Sequence, residues 1–404
     1  MTATVVVGMQ YGDEGKGKVV DFLAKNADYV VRYQGGNNAG HTVVIDNEQT
    51  ILHLIPSGIF HNKICVLGNG MVLDLDKLKE EIETLESKGI SVLENLLISE
   101  NAHIILPEDV KSSKKDRIGS TGRGIAPAYT NKSAKTGLRV RDILNIEDKI
   151  DGIDIRARNR LSIYKKYLKQ YEYLKDNVVN VSKVLNDAIE EGKNILFEGA
   201  QGTGLDIDHG QYPFVTSSNS TAGGACTGSG IGPTKIDKVI GICKAYITRV
   251  DREGESPLTT QLDDKTGKKL RENGHEYGAT TGRPRRCGWF DAVLANHAVR
   301  VNGISEVILT KLDVLDGFKK LKICTHYELD REKIEDFPTD SIVQRRCKPI
   351  YESIKGWSKT VKKAKTFNEL PEEARNYIRR IEDLMQTKVS YVTTGPKRDQ
   401  IIEI

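Results

Sequence analysis

What this 404-residue sequence lacks narrows its class before any motif is considered. No run approaches the roughly 20 apolar residues that a membrane-crossing helix needs, so no membrane partner is expected. The chain enters a β-branched stretch at once, with no charged-then-apolar export signal, and a cytoplasmic location is the expectation. Cysteine is sparse. The six residues Cys65, Cys226, Cys243, Cys287, Cys324 and Cys347 form no C-x-x-C pair, which argues against a zinc site or disulfide framework and leaves buried free thiols. A strong charge of one sign is also missing: net charge is +4, too small an excess for a nucleic-acid footprint. The one basic helical stretch, near residues 156 to 169, offers only scattered tyrosines as stacking platforms, so no nucleic-acid partner is expected. With 38% hydrophobic and 29% charged residues the composition is that of a globular protein whose basic groups serve small anions.

What is present begins with VVVGMQYGDEGKGKVVDFL, residues 5 to 23. Val5 to Val7 reads as a buried strand and Val19 to Leu23 as a helix, so the intervening glycine-rich segment is a turn. Such a turn lets the backbone approach an anion and aim successive N–H groups at it, with the helix N-terminus adding positive potential. Gly12 to Lys18 fits the phosphate-loop spacing G-x-x-x-x-G-K, but Val19 stands where such loops carry the Ser or Thr that holds magnesium. A metal must then find another oxygen, and Asp13 and Glu14 lie within the loop. Two acids at a phosphate site make sense if a divalent cation or a titrating proton offsets the repulsion. An ordinary strand-to-helix connection would share the glycines but has no need of two lysines and two acids.

Further polar, glycine-rich turns follow strand-like runs. Tyr29–Tyr33 leads into QGGNNAGHT, residues 34 to 42, where His41 sits in a glycine-rich turn after a strand and near a phosphate loop and is a candidate for chemistry. Leu73–Lys88 reads as an amphipathic helix capped by Gly89, and Leu96–Ser99 and His103–Leu106 as short strands. STGRGIAPAY, residues 120 to 129, suits a phosphate monoester, with a surface loop as the alternative. Asn145 to Glu191 is charged and helical. Asn194–Phe197 restores a strand before FEGAQGTGLDIDHGQYPFVTSSN, whose hydroxyls and glycines are too dense for a core and suit the surround of a ligand. Val239–Thr248 reads as one buried strand. In GATTGRPRR, residues 278 to 286, arginines precede the apolar Trp289 and Phe290, a setting for bidentate recognition of a dicarboxylate. Glu306–Leu309 ends in Thr310-Lys311-Leu312-Asp313, where an Asp past a strand can accept from the ring N–H and exocyclic amine of guanine. The closing turn TTGP, residues 393 to 396, could wall the base. Strands with glycine turns at their C-terminal ends predict an α/β fold: one large domain over residues 1–404 with a central, mostly parallel sheet flanked by helices, a P-loop-like nucleotide site, and small subdomains from insertions at about 145–191 and 251–276.

Taken in order, GMQYGDEGKGK, QGGNNAGHT, STGRGIAPAY, FEGAQGTGLDIDHGQYPFVTSSN, GATTGRPRR, TKLDVLD and TTGP resemble the adenylosuccinate synthetase family, over residues 5 to about 400. The resemblance implies a magnesium-dependent reaction of IMP, L-aspartate and GTP giving adenylosuccinate, GDP and phosphate through a 6-phosphoryl-IMP intermediate, in a homodimer. Matched position by position, it implies Asp13 as catalytic base and magnesium ligand, His41 as catalytic acid, Lys16 and Gln201 as further catalytic groups, and the Gly40 carbonyl as a second magnesium ligand. GTP contacts are implied at Gly12, Gly15, Lys16, Gly17, Lys18, Gly40, Thr42, Lys311, Asp313, Thr393, Thr394 and Gly395. IMP contacts are implied at Asp13, Asn38, Thr121, Lys135, Gln201 and Thr216, and aspartate contacts at Thr280, Thr281, Arg283 and Arg285. Three positions depart from the pattern: Lys135 stands where the family usually donates an arginine across the dimer to the IMP phosphate, Asn37 where many relatives have His, and Pro284 where many have a third arginine. Two alternatives stay open at this point. One is a related ligase acting on a 2-aminopurine monophosphate such as dGMP, against which Asp13 speaks. The other is a GTP-binding switch without ligase chemistry, which leaves Arg283 and Arg285 without a ligand.

Overall fold

The computed structural model describes residues 2–45, 48–114, 121–143, 161–250, 255–278 and 282–404. The short apolar runs assemble into a ten-stranded sheet. From one edge to the other its strands are Ile401–Glu403, Val389–Thr393, Glu306–Thr310, Lys238–Lys244, Ala3–Gly8, Ile195–Glu198, Tyr29–Arg32, Ile64–Leu67, Leu96–Ser99 and Val178–Val179. Every neighbouring pair is parallel except the C-terminal edge, where Val389–Thr393 meets Ile401–Glu403 antiparallel. The expected mostly parallel α/β sheet is therefore present, with helices on both faces.

Ala3–Gly8 lies mid-sheet, with Val5 opposite Phe197 on one side and Val239 on the other. Val5, Val6 and Val7 are all fully buried, because a parallel strand covered on both faces needs a continuous apolar run rather than alternation. Burying each such side chain stabilises the fold by about 1.5–3 kcal/mol. Val5 and Val7 enter the largest core, with Phe197, Tyr246, Trp289 and Tyr377. Val6 faces the other layer, against Val19 and Val20 of the helix Lys16–Ala24. A further core under Ile64–Leu67 and Leu96–Ser99 gathers Leu78, Ile82 and Leu85 of the helix Leu75–Glu86 with Tyr167 and Tyr171.

Several boundaries differ from the sequence reading. The helix expected from Leu73 starts at Leu75, because Asp74 caps it by accepting from Lys77 N at 3.1 Å while Leu73 pairs with Ile104. The strand at His103 stops at Ile104, where Pro107 opens the helix Pro107–Ser113. Val239–Thr248 is two strands: Lys238–Lys244 stays in the main sheet, and Ile247–Arg249 pairs antiparallel with Arg286–Gly288. Gln10 Nε2 donates to the carbonyls of Lys244 at 3.3 Å and Tyr246 at 3.0 Å, so these no longer serve a ladder. Of the charged stretch that begins near Asn145, residues 144–160 lie outside the described residues. Val178–Val179 closes the sheet edge, and the helix Val181–Glu190 sends Val181 and Leu185 into the largest core. All six cysteines are free, and all but Cys226 are buried. Among the described residues no helix is long and apolar enough to cross a membrane.

Candidate active site

The turns singled out in the sequence lie beyond the C-terminal ends of parallel strands of the one sheet, after Gly8, Arg32, Glu198, Thr310 and Thr393, where an α/β sheet opens its crevice. In the first of them Gly12, Asp13 and Gly15 all have positive φ, 80°, 58° and 87°. Gly15 is the residue before the helix Lys16–Ala24 and has no side chain with which to cap it, so the first-turn amides stay available to a ligand. Gly17 is a matter of space: a Cβ there would meet the Cα and backbone carbon of His41 at 3.1 Å. The second turn is thereby laid directly over the first.

The two acids of the loop have opposite orientations, which corrects the reading that both face a phosphate. Glu14 is wholly buried, accepts from the amides of Gln10 at 3.1 Å and Gly12 at 2.9 Å, and pairs with the ammonium of Lys16. It is a strut that shapes the turn, and Lys16 is buried on it. Asp13 is over a third exposed, held in the left-handed region, with Oδ2 3.0 Å from Arg285 Nε. Arg285 Nε makes no directed hydrogen bond, so this contact is an ion pair.

His41 opens the strand His41–Ile45, where the half-buried Thr42 pairs with Ile51. Its Nδ1 is hydrogen-bonded to Oε1 of Glu198, a buried carboxylate that also accepts from Ser57 N at 2.8 Å and Ser57 Oγ at 3.0 Å. Burial pushes the Glu198 carboxyl up, but the adjacent His41, Arg32 and the Ser57 amide outweigh it and hold it below its ordinary value. Burial lowers His41 against the opposing pull of Glu198. The result is a carboxylate that fixes the imidazole with its proton on Nδ1.

Beside this pair lies a polar wall. Gln201 has φ 58° and a buried Oε1 without a hydrogen-bond partner, and Asn38 Oδ1 accepts from Gly36 N at 3.1 Å. A Cβ on Gly35 would lie 3.3 Å from Gln201 Oε1 and 3.5 Å from Asn38 Oδ1, so both amides border one space. Thr216 is half-buried, its amide donating to Leu205 O at 2.8 Å. Tyr129 ties the helix Ile125–Ser133 to this wall by accepting from Gly35 N at 2.9 Å and donating to Gly70 O at 2.6 Å. Thr121 and Lys135 are exposed on either side of that helix, Lys135 with φ 62°.

Across the cleft, Arg285 Nη1 donates to Oε2 of Glu276 at 2.6 Å. Glu276 has no exposed surface and also accepts from Lys244 Nζ at 3.0 Å, Lys311 Nζ at 2.7 Å and the Tyr246 hydroxyl. Burial opposes its charge, but Lys244, Lys311 and Arg285 overcome this and hold the carboxyl far below its usual range. Burial brings the Lys244 ammonium down to about 8. Arg283 is exposed, its carbonyl accepting from Gly278 N at 2.7 Å. Thr280 and Thr281 lie outside the described residues.

The turns at the other end are built by the last strands. Lys311, at φ 59°, donates its amide to Thr393 Oγ1 at 2.9 Å, and its Nζ is committed to Glu276 and, at 3.1 Å, to Gly274 O. Burial raises the Asp313 carboxyl, and the ammonium nearest to it, Lys362 Nζ, stands 3.7 Å away. That leaves Asp313 suited to a pair of incoming N–H donors. Lys18 joins this turn to the first one by donating to Gly395 O at 2.6 Å and Gln400 O at 2.9 Å, and burial holds it down at about 8. Thr394 Oγ1 is buried without a partner.

The oxygen donors on offer here are those a hard cation would take. Among the described residues no three His, Cys, Asp or Glu side chains cluster as a metal cage. The outward Asp13 carboxylate, with the Gly40 carbonyl next to the His41 backbone that packs over Gly17, would be the oxygens to hold such an ion.

The sequence reading missed Glu198, Glu276, Lys244 and Tyr246 as parts of the site. The available signals were a carboxylate ending the apolar run ILFE and a second one just before GATTG, but their partners come from distant strands.

The sequence model of the adenylosuccinate synthetase family matches residues 5–402. The adenylosuccinate synthetase of Thermodesulfovibrio yellowstonii is 49% identical over 422 residues, covering 100% of this chain and 99% of its own. That of Bifidobacterium adolescentis is 48% identical over 427 residues, with the same coverage. The solved structure of fully ligated adenylosuccinate synthetase from Plasmodium falciparum superposes with a TM-score of 0.91 at 35% identity, with each chain covered in full. The succinoaminodeoxyadenylate synthetase of cyanophage S-2L, solved with dGMP and with dATP as energy donor, shares the fold at a TM-score of 0.67 and 21% identity, covering 100% of this chain and 95% of its own.

Proposed function

The chain belongs to the adenylosuccinate synthetase family, a GTP-dependent ligase of IMP and L-aspartate in purine biosynthesis, and from that premise we propose how its own residues divide the work. The oxygen on C6 of the purine is a poor leaving group, so it is first phosphorylated. Asp13 accepts the proton from N1, the electron pair moves onto O6, O6 attacks the γ-phosphorus, and the bond to the bridging oxygen breaks with GDP leaving. The aspartate amine then adds at C6, the C6–O bond breaks, phosphate departs and the amine loses a proton.

His41, fixed by Glu198, directs its second ring nitrogen at the charge that passes to the β-phosphate. Gly12, Gly15, Gly17, Gly40 and Thr42 surround the phosphates, with Lys16 held beside them on Glu14 and Lys18 tying this turn to Gly395 and Gln400. Lys311, Asp313, Thr393, Thr394 and Gly395 receive the guanine. Asn38, Thr121, Gln201 and Thr216 hold IMP, and the unpartnered Oε1 of Gln201 supports this, since a buried acceptor without a donor is costly until a ligand supplies one. Arg285 and Arg283, with Thr280 and Thr281, take the aspartate. Magnesium on Asp13 and Gly40 would, when bound, neutralise negative charge building between the phosphates. The working unit is a homodimer in which the exposed Lys135 of one protomer reaches the IMP phosphate of the other. Lysine keeps the charge there but loses the fork geometry of arginine.

The observation that carries this reading is the placement of Asp13: the one outward carboxylate of the phosphate turn stands 3.0 Å from the arginine proposed for aspartate. Proton removal and amine delivery thus converge on one ring. The test is an assay with GTP, Mg²⁺, IMP and aspartate, omitting one component at a time and following adenylosuccinate, with dGMP replacing IMP as a control. Product is expected only from the complete IMP mixture. Release of phosphate without IMP and aspartate would overturn the ligase reading, and turnover of dGMP in place of IMP would overturn the purine assignment.

A further inference from the structure

We infer that Glu276 is a positioning residue that couples the amino-acid site to the guanine-nucleotide site. The inference rests on the roles proposed above for Arg285 and Lys311. A buried carboxylate needs donors, and this one has four, of which three carry charge. Two of those cations reach further than a structural counter-ion requires. Arg285 has Nη1 on Glu276 and Nε beside Asp13. Lys311 has Nζ on the same carboxylate and its amide on Thr393, and it opens the turn that carries Asp313.

Glu276 is itself anchored from both sides. Its amide donates to Arg271 O at 2.9 Å, at the end of the helix Lys265–Gly274, and its carbonyl accepts from Arg285 N at 2.9 Å. One rigid carboxylate therefore sets the angle of the aspartate arginine and the placement of the lysine at the base turn. Moving either cation changes the field felt by the other. Removing the charge leaves Lys244, Lys311 and Arg285 repelling one another at hydrogen-bond range of a common point.

Three variants test this, with KM measured for all three substrates and folding followed by circular dichroism and thermal melting. In Glu276→Gln the KM for aspartate is expected to rise at least tenfold and that for GTP several-fold, while that for IMP stays within twofold. A purely structural role would lower the melting temperature and the active fraction without this split, and KM values for aspartate and GTP both within twofold of wild type would overturn the inference. Should Glu276→Gln not fold, Glu276→Asp decides: it keeps the charge but is one methylene too short to hold both cations, so the aspartate and GTP values are expected to rise together, and wild-type values would overturn the coupling. Arg285→Leu separates the two levels. If it leaves the aspartate KM unchanged, the aspartate-site reading fails and takes the inference with it. If it raises that KM while both Glu276 variants behave as wild type, only the coupling fails.

Discussion

Glu198 and Glu276 are both fully buried, and they differ in the company they keep. Glu198 faces an imidazole that burial holds below its ordinary value, and hydrogen bonds from Ser57 hold it in place. Glu276 faces two lysines, an arginine and a tyrosine, so three cations share its charge where Glu198 has a single imidazole against it. A third buried carboxylate serves as a control. Asp291 caps the helix Ala292–Asn302 and accepts from the Tyr327 hydroxyl at 2.6 Å. Burial, only partly offset by these hydrogen bonds, raises it to about 6. The three show that burial alone raises an acid, and that the neighbours decide whether it stays charged, as at Glu198 and Glu276, or holds its proton longer, as at Asp291.

The strongest test of the comparison is at the outward carboxylate. Asp13→Asn keeps a residue type that tolerates the left-handed backbone at φ 58° but cannot act as base. Turnover should fall by about 10²–10⁴-fold while GTP binding, measured by titration, changes only a few-fold. Near-normal turnover would show that the base is elsewhere.

Next comes Glu198→Gln. Without the carboxylate, His41 loses the charge that favours its protonated form, so the limb of the kcat profile that it governs should move to lower pH by about one unit. Turnover at neutral pH should drop by about tenfold or more. A profile that only scales down, without moving, would mean that the pair serves architecture alone. Glu276 variants should show no such movement.

The Asp291 control predicts stability rather than rate. Folded Asp291 keeps its proton up to about pH 6 whereas the unfolded carboxyl releases it near 3.8, so the folded state binds the extra proton between these values. Stability should therefore fall as pH rises from about 4 to about 6, by about 3 kcal/mol. Glu276 has the opposite sign: held far below its ordinary value, it contributes stability above pH 4.5 that is lost as pH falls. Urea midpoints of wild type and Asp291→Asn, compared across pH 4 to 7, would show the Asp291 slope disappear in the variant. An unchanged slope would refute its assignment.

A smaller effect is expected at the base turn. Lys18→Met removes the ammonium that holds Gly395 O and Gln400 O, and the KM for GTP should rise a few-fold with that for aspartate unchanged. The smallest concerns the dimer. Lys135→Arg restores the two-pronged donor, and the KM for IMP should fall by about two- to fivefold. Mixing Lys135→Leu with Asp13→Asn should restore part of the activity if Lys135 acts across protomers, and no recovery would place it in its own subunit.

Much of this was legible in the chain. The glycine turns, the buried valines of Ala3–Gly8 and the Lys311-Leu312-Asp313 segment announced themselves because their signals are local: backbone freedom, β-branched runs and a short spacing. Glu14 was misread because adjacent acids look alike in sequence, and only the positive φ of Asp13 sends one outward while the other folds back onto the amides of Gln10 and Gly12. The break after Lys244 was hidden because the carbonyls there are claimed by Gln10, more than two hundred residues earlier.

The sequence by itself determined the class of fold, the family and the inventory of chemical groups, since periodicity, turn chemistry and ordered motifs are carried by neighbours along the chain. Only the tertiary structure decided which carboxylates meet which cations. His41 and Glu198 are 157 positions apart, and Lys311 and Glu276 are 35 apart, yet each pair shares a hydrogen bond. Charge pairing depends on distance through space and on exclusion of water, and a parallel sheet brings together strand ends that the chain itself keeps far apart.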